Sequence, residues 1–294
     1  MSGPPVLLAG VSVIISSRNR PDLLYQTVRS ILDADELPAE LVIIDQSDRP
    51  HDALEALQPP VGCEIRYRWA PSIGVSKGRN SGIATASHDL LAFTDDDVRV
   101  TTSWLGALVR ALIEQGPAAI VTGRVLSDGA GASHFAGALR VSDVPMTYSG
   151  KVDQDVLASG NMAAPRHAIV SVGGFDERLG PGASFPAAED GDLGFRILEA
   201  GYTIVYVPEA VLYHRSWRPI GDYFGLRWAY GRGKGAYYAK HLRLRVMVGQ
   251  VLKRLSRAAR SVWRQPRRGI GELVFITGML QGFSEWLLTQ RSER

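Results

Sequence analysis

Three aspartates, Asp95, Asp96 and Asp97, stand side by side directly behind the apolar run LLAF (90–93). Asp is a poor strand former, and adjacent like charges repel. The cluster therefore calls for something positive beside it. Carboxylate oxygens suit Mg2+ or Mn2+, commonly shared with substrate phosphates. A solvated turn at a strand end is the plainer alternative, because Asp is frequent in turns. A second acidic group, Glu189, Asp190 and Asp192, opens a helical pattern in AEDGDLGFR. Acids at a helix start complement its dipole, worth about 0.3–1 kcal/mol each. Set in a cleft, one of them could instead serve as a general base. His214 closes AVLYH; a solitary histidine is either structural or a metal ligand.

These residues need elements to position them. VSVIIS (11–16), ELVIID (40–45), CEIRYRW (63–69), DLLAFT (89–94) and AAIVTGRV (118–125) read as strands. Leu23, Leu24, Val28, Ile31 and Leu32 recur at helical spacing behind Pro21, and WLGALVRALIEQ (104–115) is amphipathic. A short helix fits 51–57, and GVSKGRNSGIATAS (74–87) looks like a loop opening a helix. Residues 126–155 are rich in Gly, Ser and Asp and read as loop with short edge strands. A helix from Glu189 ends at Gly201, followed by two strand-like pieces, TIVYVP and AVLYH. Alternating strands and helices predict a parallel α/β sheet, with ligands at the carboxyl ends of its strands. Asp45 and Asp95 to Asp97 fall there.

The chain has 294 residues, 45% hydrophobic and 21% charged, which is an ordinary globular composition with room for a sizeable core. A single cysteine, Cys63, excludes an internal disulfide and suits a reducing compartment. The start lacks the basic region of a signal peptide, which predicts a cytoplasmic protein. Charge is unevenly spread. Residues 1–222 carry 18 Lys and Arg against 27 Asp and Glu, whereas residues 223–271 carry 13 basic residues and no acid. Such a block meets something anionic, whether membrane, phosphate or nucleic acid. Within it Leu244, Val248, Val251, Leu255, Ala259 and Val262 form an apolar stripe, with Arg254, Arg257, Arg260 and Arg264 largely elsewhere on the wheel. That pairing favours an anionic membrane surface over nucleic acid. The apolar stretch 269–288 is interrupted by Glu272, Gln281 and Glu285, which favours a helix lying on the membrane or on the domain over one that spans.

VSVIISSRNRPDLLYQTVRSIL, LVIID, GVSKGRNSGIATASHDLLAFTDDDV, GGFDE, AEDGDLGFRILEAGY and AVLYH occur in an order that resembles family 2 glycosyltransferases over roughly residues 10–218. The resemblance implies the GT-A fold, a Rossmann-like mixed sheet flanked by helices. It implies a catalytic domain at 1–222, to which a basic, helical, membrane-associating extension at 223–294 would be joined. The implied activity is inverting transfer from a nucleotide sugar (UDP-, dTDP- or GDP-linked) to a glycan or lipid-linked acceptor of the cell envelope or exopolysaccharide. The enzyme would act peripherally at the inner membrane face.

Residue roles follow from the same resemblance. Asp95 and Asp97 look like the family's DxD motif. Asp97 would hold Mg2+ or Mn2+, Asp95 or Asp96 would touch ribose or metal, and His214 matches a further metal ligand. Asp190 matches the catalytic base. Ser16, Ser17, Arg18, Asp45, Lys77, Arg79 and Asn80 would line the nucleotide. Asn161, Glu189 and Asp192 would face donor sugar or acceptor. Arg232 and Lys234 could approach a phosphate or simply form a basic surface. GRGKG (231–235) is no Walker loop, because no GK[ST] follows at the required spacing. Arg227-Trp228 resembles part of the QxxRW motif of processive relatives, but Phe224 stands where Gln would be, which argues against polymer synthesis. A nucleotidyltransferase would want a Gly-rich loop after the first strand, and SSRNRPD has none. A sugar-nucleotide binding module would have no use for a base at Asp190.

Overall fold

The computed structural model describes residues 5–129, 134–135 and 139–292. The strands are β1 (Val6–Ser17), β2 (Glu36–Asp45), β3 (Glu64–Trp69), β4 (Leu90–Asp95), β5 (Val98–Val100), β6 (Ala119–Ser127), β7 (His134–Phe135), β8 (Met146–Tyr148), β9 (Asn161–Pro165), β10 (Thr203–His214) and β11 (Arg218–Pro219). The helices are α1 (Pro21–Leu32), α2 (Asp52–Glu55), α3 (Val75–Thr85), α4 (Trp104–Gln115), α5 (Arg166–Ser171), α6 (Glu189–Glu199), α7 (Tyr223–Lys240), α8 (Leu244–Ser261) and α9 (Pro266–Ser292).

The main sheet runs β3-β2-β1-β4-β9-β6-β10-β5, with β8 beside β10. Strands β1 to β4 are parallel, but β9 enters antiparallel between β4 and β6, and β5 is antiparallel to β10. The sheet is therefore mixed, not purely parallel. The expected TIVYVP and AVLYH pieces are one strand, β10, whose register against β6 shifts between Val207 and Val211. Pro208, which lacks a backbone donor, lies in that gap.

Alternation along the strands builds a core on each face. Val13, Ile15, Leu41 and Ile43 pack with α1 and α4, while Ile14, Val42, Ile44 and Phe93 pack with α3, α5 and α6. Two glycines seat α3 on β1. A Cβ at Gly82 would lie 2.3 Å from Ile14 Cγ2, and one at Gly78 would lie 2.0 Å from Ser16 Oγ.

Helices α7 and α9 touch backbone to backbone. A Cβ at Gly231 would lie 2.1 Å from the Phe275 carbonyl oxygen, and one at Gly235 would lie 1.9 Å from that of Met279. Gly278 and Gly282 make the reciprocal approach to Trp228 and Arg232. The GRGKG glycines are thus packing surfaces. The pair docks on the preceding loop through Ala236, Ala239 and Trp286 against Leu179 and Phe185. Among the described residues no helix is long and apolar enough to cross a membrane. Residues 269–288 instead turn Phe275, Met279 and Trp286 inward.

Candidate active site

Strand register gathers the first group of residues. Ser17 pairs with Asp45 across β1 and β2, and Ser16 pairs with Asp95 across β1 and β4. All four therefore lie at the carboxyl ends of neighbouring parallel strands, the usual place for a ligand. Asp45 is buried; its carboxylate accepts from the Tyr67 hydroxyl at 2.6 Å and the Ser47 amide at 2.9 Å. Ser16 Oγ donates to Gln46 at 3.2 Å, and Arg18 pairs with exposed Asp48.

The three aspartates meet different surroundings. Asp96 is buried, accepts from Ser17 Oγ at 2.5 Å and pairs with Arg20 at 2.8 Å. Burial pushes its pKa up to about 7 against the pull of Arg20, with Asp97 adding to the rise. Asp97 is also buried, and its Oδ2 accepts from Arg20 at 3.1 Å and Trp217 Nε1 at 2.7 Å. Its pKa falls although burial opposes this, because His214 and Arg20 favour the carboxylate. Asp95 is the open member, with a side chain 34% exposed. Thr27 of α1 braces the turn, donating to the Asp96 and Val98 carbonyls. After β10 the Arg215 amide donates to the Asp97 carbonyl at 2.9 Å, tying His214 to the cluster.

Arg79 joins this cluster to the second one. Its side chain is 5% exposed and lies 2.8 Å from Asp95, 3.6 Å from Glu189 and 3.7 Å from Asp190. Asp190 also accepts from Ser159 Oγ. Desolvation by burial raises the Asp190 pKa, partly offset by Arg79 and Ser159. Glu189 is pushed up to about 7, first by burial and then by the neighbouring Asp190 charge. One guanidinium thus faces three carboxylates drawn from β4 and from the first turn of α6.

Several expected site residues stand elsewhere. Asn161 is fully buried; its amide donates to the Arg124 and Ala210 carbonyls and accepts from Trp104 Nε1, so it braces the sheet and has no group left for a sugar. Asp192 is fully buried at the junction of α6 and α7, held by Arg196, Lys240 and His241. Asn80 clamps the Phe175 backbone and Glu177. Arg232 pairs with Glu285 at 2.7 Å, and Lys234 pairs with Asp155. Lys77 is exposed on the first turn of α3. Arg20, Ser159, Trp217 and Arg218 were not singled out from the sequence, yet they border the acids.

The cluster fits a divalent cation by donor chemistry. His214 Nδ1 lies 3.1 Å from the Arg215 carbonyl, so a proton there is satisfied by backbone. Nε2 lies 3.6 Å from Asp97 Oδ1, an ion pair when the ring is protonated. In a neutral ring with the proton on Nδ1, the Nε2 lone pair and Asp97 Oδ1 would be free to share a cation. Among the described residues no group of three or more His, Cys, Asp or Glu side chains is assembled to hold a metal. A Mg2+ or Mn2+ ion here would need substrate oxygens as well, as such ions commonly do.

The model for glycosyl transferase family 2 matches residues 12–158, and that for glycosyl transferase family group 2 matches residues 91–289. A pre-mycofactocin glycosyltransferase of Mycobacterium tuberculosis is 28% identical over 240 residues, covering 79% of this chain and 48% of the relative. The succinoglycan biosynthesis protein ExoM of Rhizobium meliloti is 29% identical over 116 residues, 38% of this chain and 37% of its own. The chain thus spans half or less of the length of these curated relatives. A solved mannosyltransferase of Pyrobaculum calidifontis, in complex with GDP-Man and Mn2+, superposes with TM-score 0.63 at 14% identity, covering 94% of this chain and 87% of that one. GalNAc-T7 with UDP, GalNAc and Mn2+ gives 0.57 at 18% identity, over 79% and 50%. These likenesses show the fold, the mixed sheet with flanking helices of GT-A glycosyltransferases. With family models spanning both acidic clusters, the chain belongs to glycosyl transferase family 2.

Proposed function

We propose that the protein is an inverting glycosyltransferase that moves a sugar from a nucleoside-diphosphate donor to a hydroxyl of a glycan or lipid-linked acceptor. The observation that carries the reading is the Arg79 bridge, which sets the strand-end acid Asp95 beside Asp190 in the first turn of α6. A donor laid along the ends of β1, β2 and β4 would put its base by Asp45 and Ser17 and its diphosphate by Asp95 and Asp97. Asp45 offers carboxylate oxygens to a ring N–H, and Tyr67 with the Ser47 amide fixes their direction. Bound Mg2+ or Mn2+, held by Asp97 and His214 with the diphosphate, would neutralise charge on the leaving group.

Asp190 takes the proton from the acceptor hydroxyl. The oxygen then bonds to the anomeric carbon as the bond to the diphosphate oxygen breaks on the opposite face, so configuration inverts and no covalent enzyme intermediate forms. Ser159 aims the Asp190 carboxylate. Its raised pKa makes it a stronger base than a solvated aspartate. The GDP-Man and UDP complexes of the structural neighbours support a sugar-nucleotide donor.

Asp190→Asn tests the base. Transfer should fall by roughly 10²–10⁴-fold, the range for a positioned general base, while donor binding by calorimetry stays near wild type. Transfer at the wild-type rate would remove Asp190 from the role.

A further inference from the structure

Helix α8 hides little of itself. Only Met247 and Ala258 are buried, and Arg254 turns inward to Glu272. At 100° per residue these positions share one narrow arc facing α9. The apolar stripe lies beside that arc and points outward: Leu244 is 52% exposed, Leu252 61% and Trp263, just past the helix, 91%. Val248, Leu255 and Val262 complete it, all exposed. Lys253, Arg257, Arg260 and Arg264 occupy the far side of the stripe, also exposed. An outward apolar stripe flanked by cations is the pattern of a helix lying in a lipid interface.

We infer that this face of α8, with Trp263, docks the protein on an anionic bilayer surface. Charge selects that occupant. Lys253, Arg257 and Arg260 are exposed along α8, with Arg264 just past its end, and a twofold pairing of α8 with a second copy would set these cations against each other. Lipid headgroups instead give the cations partners while Leu252 and Trp263 enter the acyl boundary. The helix cannot span, so the contact is peripheral. This docking does not depend on the transfer chemistry.

Flotation of the whole chain tests it, using phosphatidylcholine vesicles with and without phosphatidylglycerol. The protein should float with the anionic vesicles on the order of tenfold more than with neutral ones, and less in high salt. Leu252→Asp with Leu255→Asp should abolish flotation. Arg257→Glu with Arg260→Glu should do the same through charge, and stays informative if the first pair unfolds. Wild-type protein left at the bottom with both vesicle types would overturn the inference. So would flotation unmoved by both variant pairs, or a concentration-dependent dimer, lost in the leucine variants, in place of flotation. Nucleotide binding measured on the same samples reports separately on the transferase reading.

Discussion

Arg79 carries more of the site than any single acid. It is buried, its Nη1 has no hydrogen-bond partner, and Asp95, Glu189 and Asp190 surround it. Because burial raises the Asp190 pKa, the acid limb of kcat/KM should lie above the ordinary aspartate value of about 3.9. The base works deprotonated, so activity is present above that pKa and lost as pH falls through it. A pH–rate profile whose acid limb sits at the ordinary value would contradict this. The two acidic clusters were legible because each is contiguous in sequence. Their neighbours were not. Arg20 reaches Asp97 across 77 positions and Trp217 across 120, and no local pattern announces such a contact. Asn161 and Asp192 misled for a related reason: polar residues beside a site look alike whether they face the ligand or hold the scaffold.

At the scale of elements, glycine substitutions separate propensity from packing. Gly→Ala inside a helix normally stabilises by about 0.5–1 kcal/mol. At Gly249 of α8 nothing lies within 4 Å of the new Cβ, so Gly249→Ala should raise stability by about that amount. At Gly235 the Cβ would meet the Met279 carbonyl oxygen at 1.9 Å, so Gly235→Ala should instead cost about 1–3 kcal/mol. Thermal melts of the two variants should shift in opposite directions; equal shifts would contradict the close α7–α9 contact. Asp192 ties α6 to α7. Asp192→Asn leaves Arg196, Lys240 and His241 short of their partner and should cost about 3 kcal/mol in denaturant unfolding. Its cations hold its pKa below the ordinary value although burial opposes them, so its contribution is present above about 3.9 and lost as pH falls lower. The strands and helices themselves were read well, since alternation and helical spacing are local. The antiparallel insertion of β9 and the continuity of β10 were not, because strand order is decided by pairing across the chain.

The whole molecule joins an acidic body, residues 1–222, to a basic helical end. The expected boundary at 222 falls just before α7, and the structure sends α7 and α9 back across it. Trp286 meets Phe185 in a tilted ring contact with centroids 5.2 Å apart, and Lys240 with His241 grips Asp192. A chain cut to residues 1–222 should therefore melt well below the full protein; an unchanged melt would show that the helices are a mere appendage. The central claim, that the strand ends hold a nucleoside diphosphate with a divalent ion, is tested most directly by calorimetry. UDP, dTDP and GDP would each be titrated into the full chain, first with Mn2+ and then with EDTA. Binding of one nucleotide with Mn2+, lost in EDTA, is the predicted result. Folded protein that binds none of them, or binds equally well in EDTA, would contradict it.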